Sequence, residues 1–309
     1  RAAGLNYPGT SGRLGILLGI VPKKQKPGRL QMIRTFVPIF SICLLAACTS
    51  EPVNKALSVA SIEQAWIAEG FESPEGVAAA PDGGYFISNV VGEGTDKDGN
   101  GYISHLAADG SITTRYWTAK LDAPKGMAVL DGTLYAADID SVVMFNVEDG
   151  ERLDSVRIEG AKFLNDATDW NGAIYVSDSG DAAIYRISDG TAELWLQDER
   201  LAGVNGLLGD GDRMLVSTMT TGSLFSVTAE GELTEIAAGM ENADGIGLVP
   251  GGGYLVSSWP GQIHYVGEDG AVATLFDEPV SQNDLTVIGD TVIVPNWRQN
   301  TVTTWKVGR

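Results

Sequence analysis

Residues 242–248 read Asn-Ala-Asp-Gly-Ile-Gly-Leu, an acidic residue and a glycine followed by apolar and small residues in alternation. Related stretches recur along the chain, and each opens a short apolar segment with one polar residue: Glu75, Lys125, Asn165, Asn205, Asp244 and Asn283. The first interval is 50 residues, and the next four are 40, 40, 39 and 39 residues. A period of roughly 40 residues is typical of a propeller or a solenoid.

The strand pattern inside one unit distinguishes these two architectures. The unit that opens at Asp244 alternates as four short strands, with Gly-, Asp- and Pro-rich turns between them, at residues 244–249, 254–258, 262–266 and 271–276. No segment after residue 70 keeps the helical apolar period of about 3.6 residues over the length of a core helix, which argues against helical repeats. A sandwich or barrel would not show this even spacing. The sequence therefore predicts an all-β fold, a six-bladed β-propeller with four-stranded blades.

The last unit, which opens at Asn283, is about one strand short, because its final strand is expected at residues 301–307. Residues 62–67, around Trp66, read as a strand that belongs to no unit. We expect this strand to become the outer strand of the last blade and to close the ring by pairing the N- and C-terminal strands. Closure removes the exposed strand edges of an open ring. The predicted propeller domain is residues 62–309.

The segment before the propeller has a different composition. Residues 1–31 match no strand unit, and we expect them to be upstream sequence that is not native. Residues 32–48 read as a lipoprotein signal peptide, because a short apolar run ends in Leu-Ala-Ala-Cys48, which resembles the bacterial lipobox. The alternative, a transmembrane helix, needs about 20 apolar residues, and this run is shorter. We expect Cys48 to be lipidated and residues 49–61 to form a tether. Because no Asp follows the cysteine, we expect a periplasmic lipoprotein anchored in the outer membrane.

Charge is distributed unevenly between these segments. Seven of the 21 Lys and Arg residues, but none of the 40 Asp and Glu residues, precede residue 49, so the remainder carries 14 basic and 40 acidic residues, a net charge of −26. So acidic a domain repels nucleic acid and anionic lipid headgroups and attracts cations. We expect no nucleic-acid partner and membrane contact only through the lipid anchor. We also expect a monomer that acts on a small molecule.

The first strand of each propeller blade lines the central channel, so the six opening residues should converge at one end of it. Five of the six offer an oxygen donor, and the exception is Lys125. Calcium takes oxygen ligands in variable geometry. Zinc is disfavoured, because the chain has only His105 and His264 and no thiol after Cys48. We expect Ca²⁺ as the cofactor, ahead of Mg²⁺ or Zn²⁺; the alternative is a polar channel that binds no metal.

Four motifs in order carry a family resemblance: Ser-Pro-Glu75-Gly, Leu-Asn165-Asp166, Val-Asn205-Gly and Ala-Asp244-Gly. Over about residues 62–307 the chain resembles the senescence marker protein/gluconolactonase/luciferin-regenerating family, and more distantly diisopropyl-fluorophosphatase and the paraoxonases. The resemblance implies that Glu75, Asn205 and Asp244 hold one catalytic divalent metal. It also implies that Asn165 binds metal or substrate and that Asp244 serves as general base or nucleophile.

Further residues are candidates for substrate binding. The paired histidines of the paraoxonases are absent, and the resemblance implies no role for Lys125. Lys125 either holds a substrate carboxylate or forms a salt bridge with Glu75 or Asp166. Trp259 and Trp297 follow the second strands of their blades, where the chain returns to the metal face, and are either pocket aromatics or blade-packing residues. Asp166 and Asn283 complete the predicted substrate-binding set.

The longer first interval comes from residues 90–101, whose Asp-Lys-Asp-Gly-Asn-Gly stretch resembles the first half of an EF-hand loop. The twelfth position is Ala107 instead of the bidentate Glu. We favour an acidic turn or lid over a second calcium site.

These residues predict a calcium-dependent hydrolase, a lactonase or related esterase. The cation would polarise the carbonyl group, and Asp244 would attack the ester carbon or activate a water. The alternatives are a non-catalytic binding or scaffold propeller of the envelope and an organophosphate hydrolase.

The lipobox resemblance generates a test of maturation. Mass spectrometry of the membrane fraction should find a peptide that begins with acylated Cys48. Peptides from residues 1–31 in the mature protein would contradict this expectation.

Overall fold

The computed structural model describes residues 61–308. Within this range the chain forms six four-stranded antiparallel sheets and one 3-10 helix, Glu199–Leu201. No helix among these residues is long and apolar enough to cross a membrane. The predictions for residues 1–31, for the signal peptide with Cys48 and for the tether lie outside the described residues, except that Ser61, assigned to the tether, already belongs to the first strand.

The strands follow one another from the inside of each blade to the outside. The chain opens with β1 (Ser61–Glu69), and blade one comprises β2 (Pro74–Ala79), β3 (Tyr85–Asn89), β4 (Gly101–Leu106) and β5 (Ile112–Leu121). Blade two comprises β6 (Pro124–Leu130), β7 (Thr133–Asp138), β8 (Ser141–Asn146) and β9 (Arg152–Arg157). Blade three comprises β10 (Leu164–Trp170), β11 (Ala173–Asp178), β12 (Ala183–Ser188) and β13 (Thr191–Gln197).

The remaining three blades repeat this order. Blade four comprises β14 (Val204–Asp210), β15 (Arg213–Thr218), β16 (Ser223–Thr228) and β17 (Leu233–Ala237). Blade five comprises β18 (Ala243–Leu248), β19 (Tyr254–Ser258), β20 (Gln262–Val266) and β21 (Val272–Asp277). Blade six comprises β22 (Thr286–Ile288), β23 (Thr291–Asn296), β24 (Thr301–Gly308) and, as its outer strand, β1.

The predicted six-bladed propeller is confirmed, including its closure. β1 pairs with β24 in antiparallel register from Ser61–Gly308 to Glu69–Thr301. The strand is longer than the predicted residues 62–67, because hydrogen bonding continues beyond the apolar core of the segment. The four strands of blade five match the predicted ones to within a residue.

Apolar side chains fill the space between neighbouring blades. Each of the six blade contacts has its own buried cluster, and the cluster between blades one and six includes Phe71, Ile87 and Ile293. This arrangement follows from strand alternation, which turns one face of each sheet to the preceding blade and the other face to the next. The core therefore surrounds the central axis, and the inner strands are free to carry polar residues.

A bulge recurs where the first strand of a blade opens. In blades one to five the pairing between the first and second strands shifts at the repeated motif. In four blades a serine of the second strand accepts the freed amide; one example is Gly245, which donates to Ser257 Oγ at 2.9 Å. Ser257 Oγ in turn donates to the Asn283 carbonyl oxygen of the next blade at 2.7 Å. Because a bulge turns side chains away from the ladder, this device directs the polar residues towards the axis.

Ring closure generates a stability prediction. Trp66 of β1 is half-buried and packs beside Tyr85, with ring centroids 6.3 Å apart. Trp66→Ala should lower the free energy of unfolding by roughly 2 kcal/mol, which is less than for a fully buried Trp. Leu153→Ala, on an exposed outer strand, is the control and should change it by less than about 0.5 kcal/mol. Equal effects in chemical denaturation would show that β1 does not stabilise the ring.

Candidate active site

The six residues that open the repeats lie together around the axis of the ring. All of them are buried: Glu75, Lys125, Asn165, Asn205, Asp244 and Asn283. Hydrogen bonds connect these positions between neighbouring blades. The Asn205 side chain donates to the Asp244 carboxylate, and Asn283 Nδ2 donates to the carbonyl oxygen of Pro74, the residue before Glu75, at 3.5 Å. Asn165 Nδ2 donates to Ser179 Oγ at 3.2 Å. The structure thus brings the predicted metal-binding positions into one site.

Sequence reasoning missed one carboxylate of this site, Asp284. It follows Asn283 as Asp166 follows Asn165, so the repeated Asn-Asp pair was a signal that could have found it. Each aspartate accepts a backbone amide of the next blade: Asp166 Oδ2 from Leu207 at 2.7 Å, and Asp284 Oδ2 from Val77 at 3.4 Å. The two residues belong to blades three and six, on opposite sides of the ring.

Glycines of the preceding blades leave space for these two carboxylates. A β-carbon at Gly126 would overlap Asp166 Oδ1, and a β-carbon at Gly245 would overlap Asp284 Oδ1. Both glycines directly follow an opening residue of the repeat. The residue after the opening residue is aspartate in blades three and six and glycine in the other four blades. Only these two blades therefore place a further carboxyl group at the centre.

Four carboxyl groups lie around this centre: Glu75, Asp166 and Asp244 are buried, and Asp284 is half-buried. Burial is the main reason why the pKa of each is raised. The pKa reaches about 7 for Asp166, and about 8 for Asp244, where the charge of Asp166 adds to burial. The pKa values of Glu75 and Asp284 lie well above the usual range, because the neighbouring negative charges also oppose ionisation. The charge of Lys125 lowers the pKa of Glu75, but by less than burial and the charge of Asp244 raise it.

Lys125 supplies a cation near these groups but is held by the backbone. Its Nζ donates to the carbonyl oxygens of Gly94 and Ala123, at 2.9 Å each, and lies 4.5 Å from the centre of the Phe163 ring. Burial lowers its pKa, and the charge of Glu75 opposes that shift. Among residues 61–308 Lys125 has no ion-pair partner, so the alternative of a salt bridge is not observed. The contact of Lys125 with a substrate carboxylate stays a prediction. One N–H donor of Nζ remains for it.

The loop at residues 90–100 reaches this centre through the Gly94 carbonyl. Its acidic side chains bind groups of their own turn: Asp96 accepts the Glu93 amide at 3.1 Å, and Asp98 accepts the side chain of Asn100 at 2.8 Å. Lys97 pairs with Asp140 at 2.7 Å. These contacts are those of an acidic turn, the alternative favoured from the sequence.

The residues that follow the second strands form a second ring on the same face. This outer ring consists of Val90, Ile139, Ser179, Met219, Trp259 and Trp297. The Trp259 amide donates to the Asn242 carbonyl oxygen at 3.1 Å, two residues before Asp244, and the Trp297 amide to Ser281 at 2.8 Å. Both tryptophans are half-buried. Trp297 also packs on a buried cluster that includes Val90. Its role as a packing residue is therefore observed, whereas contact of either tryptophan with substrate stays a prediction.

A cavity of about 220 Å³ opens on the other side of the carboxylate centre. Residues of the first strands, such as Val77, Leu207 and Ile246, line it together with the buried Asp166 and the half-buried Asp284. These two carboxyl groups therefore lie between the motif face and this part of the channel.

The donor chemistry of the site fits a hard divalent cation. Glu75 and Asp244 offer carboxylate oxygens, and Asn165 and Asn205 offer amide oxygens, which suit Ca²⁺ better than zinc. No three His, Cys, Asp or Glu side chains between residues 61 and 308 are placed to hold a metal together, so the amides and water would have to complete the shell. His105 and His264 lie on β4 and β20, the third strands of their blades.

No protein-family model and no curated protein matches the chain. Among solved structures it is similar to virginiamycin B lyase from Staphylococcus aureus, with 14% identity and a TM-score of 0.61 over 80% of this chain and 99% of that one. It is also similar to a gluconolactonase from Xanthomonas campestris, with 17% identity and a TM-score of 0.60 over 78% and 88%. A putative gluconolactonase matches with 18% identity and a TM-score of 0.60 over 81% and 92%. These likenesses show the fold, a six-bladed propeller.

The raised pKa values generate a prediction about stability and pH. Between about pH 4 and pH 8 the folded chain binds more protons than the unfolded chain, because Asp166 and Asp244 ionise later when folded. Stability without metal should therefore fall as pH rises through this window. In a chelator, the melting temperature should drop from about pH 5 to about pH 8, and Asp284→Asn should reduce this drop.

Calcium supplies the second half of that experiment. A cation that binds the ionised carboxylates should raise the melting temperature more at about pH 8 than at about pH 5. Asp212→Asn, in an exposed turn, is the charge-matched control and should behave like the native chain. A stabilisation by calcium that is absent, or equal at both pH values, would contradict a cation site at these carboxylates.

Proposed function

We propose that this chain is a calcium-dependent hydrolase of lactones or related esters. The observation that supports the proposal most directly is the centre of three buried carboxyl groups and the half-buried Asp284. Among the described residues the only cation near this centre is Lys125, whose ammonium donates to backbone carbonyls. Burying several like charges is unfavourable unless a cation or protons compensate them. Such a centre is suited to a bound divalent cation and to proton transfer.

Glu75, Asn165, Asn205 and Asp244 would hold the calcium ion. When bound, calcium would stabilise the negative charge that develops on the ester carbonyl oxygen. The Asn205 amide orients the Asp244 carboxylate through its hydrogen bond. The positive charge would also lower the pKa of Asp244 from about 8, so that this carboxylate is ionised at neutral pH.

Asp244 would act as the base or, alternatively, as the nucleophile. As the base it takes a proton from the attacking water, whose oxygen bonds to the carbonyl carbon, and the same proton is then available to the departing alkoxide. As the nucleophile, one carboxylate oxygen bonds to the carbonyl carbon while the ester C–O bond breaks and the departing alkoxide takes a proton from water. Water then cleaves the resulting acyl-enzyme anhydride, which releases the acid and restores Asp244. Asp166 and Asn283, at the edge of the same centre, are proposed to bind the substrate.

A histidine-dependent lyase reaction is the alternative raised by the comparison, because a His→Ala variant of the Staphylococcus aureus lyase is described as catalytically inactive. In the present chain His264 faces Thr274 at 3.1 Å on a third strand, and His105 faces Thr113 and Asp82. Neither contributes to the pKa shifts of the four carboxyl groups. This placement favours carboxylate-based hydrolysis.

The proposal includes the setting of the reaction. We propose a monomer, anchored to the outer membrane by Cys48 and facing the periplasm, that acts on a small molecule and binds no nucleic acid. Purified protein should be tested against lactones, aryl esters and phosphotriesters, with calcium and with chelator. Calcium-dependent turnover of a lactone or ester supports the proposal, turnover of phosphotriesters alone supports the organophosphate alternative, and no turnover supports a scaffold.

The comparison of two variants separates a catalyst from a ligand. Asp244→Asn keeps an oxygen donor but loses the charge and basicity, so its rate should stay roughly 10²- to 10⁴-fold below native even at saturating calcium. Glu75→Gln loses only a ligand charge and should recover part of its rate at high calcium. Circular dichroism should show both variants folded.

A near-native rate for Asp244→Asn at saturating calcium would show that Asp244 is only a ligand. Asp212→Asn is the control for loss of one surface charge and should retain the native rate at every calcium concentration.

A further inference from the structure

Arg298 lies in the loop after β23, on the same face as Asp244. Its guanidinium carbon is 5.6 Å from the centre of the Trp259 ring, in a cation–π contact between blades five and six. Arg298 is exposed, and its guanidinium makes no hydrogen bond or ion pair with another residue of the described range. An arginine without a carboxylate partner is notable in a domain with so large a negative charge.

The loop that carries Arg298 is fastened on both sides. Gln299 Oε1 accepts the Ser281 amide at 3.1 Å, and Asn300 Oδ1 accepts the Ser73 amide of blade one at 2.8 Å. The Trp297 amide donates to the Ser281 carbonyl oxygen at 2.8 Å. The other polar groups of the loop thus hold its path, and the cation–π contact keeps the guanidinium beside the Trp259 ring. Its N–H donors remain available to a ligand.

The surroundings indicate what kind of ligand would reach it. Trp259 is bonded through its backbone to Asn242, two residues before Asp244, so Arg298 and the carboxylate centre belong to one face. The neighbouring members of the outer ring, Met219 and Trp297, are half-buried and apolar. An apolar body with one negative group complements this wall.

We propose that Arg298, stacked on Trp259, binds an anionic group of the substrate, and that this group is a carboxylate. The inference rests on the proposed hydrolase function and narrows its substrate class to lactones or esters that carry a carboxylate apart from the scissile bond. A guanidinium matches the two oxygens of a carboxylate with parallel hydrogen bonds. A phosphate dianion would need more positive charge to overcome the acidic surface, and Lys125 has two of its donors bonded to carbonyls.

The test uses one lactone in two forms, with a ring carboxylate or with a carboxamide in its place. Native protein with saturating calcium should hydrolyse the carboxylate form with the higher kcat/KM. Arg298→Gln should lower the ratio of the two kcat/KM values roughly 10- to 100-fold, mainly through the KM of the carboxylate form. Arg298→Lys should retain part of the preference. Raising the ionic strength should weaken the preference of the native protein.

Arg152, an exposed arginine of β9, has no ion-pair partner between residues 61 and 308. Arg152→Gln is therefore the matched control and should leave the ratio unchanged. Binding is measured separately by saturation-transfer NMR with the carboxylate lactone, the carboxamide lactone and a phosphate-bearing lactone. Binding of the carboxylate form that depends on Arg298 supports the inference even without turnover, a result that would refute only the hydrolase proposal. Turnover with a ratio unaffected by Arg298→Gln, or preferred binding of the phosphate form, would overturn the inference.

Discussion

Close packing of six inner strands around one axis is the constraint on which the rest of the structure depends. A β-carbon at Gly76 would overlap the Lys125 carbonyl oxygen, and one at Gly245 would overlap the Leu285 amide nitrogen. Glycine is required at these points because no other residue leaves the backbones room to approach. The same closeness places the polar residues that precede the glycines in one small volume, where their charges act on one another.

Stability and chemistry therefore depend on the same charges. Burial and the neighbouring negative charges oppose ionisation of these carboxyl groups, so without a cation their protonated forms are favoured. Lys125 compensates only part of this charge, because burial also disfavours its own protonated form. A divalent cation would relieve the repulsion and at the same time leave Asp244 ionised as a base, so metal binding and activation of the carboxylate would be one event.

Much of this architecture was predictable because it depends on local patterns. The period of 39 or 40 residues and the turn residues predicted six blades. The missing strand of the last unit predicted that the segment around Trp66 closes the ring. Asp284 was missed because the family motif covers Asn165-Asp166 but not its repeat at 283–284. The carbonyl partners of Lys125 depend on the path of the 90–100 loop, and the stacking of Arg298 on Trp259 joins loops of two blades. Spacing along a chain does not determine such contacts, since they arise only when separate blades are packed.

The pairing of β1 with β24 also settles where the chain enters the ring. β24 begins beside the loop that carries Arg298 and runs away from it, so Gly308 and its partner Ser61 lie at the outer rim of the opposite face. The described chain therefore enters the ring on the face opposite Asp244. The first and last residues of the described ring, Ser61 and Gly308, thus lie apart from the mouth of the candidate site, so the seam that closes the ring leaves that mouth unobstructed at its outer rim.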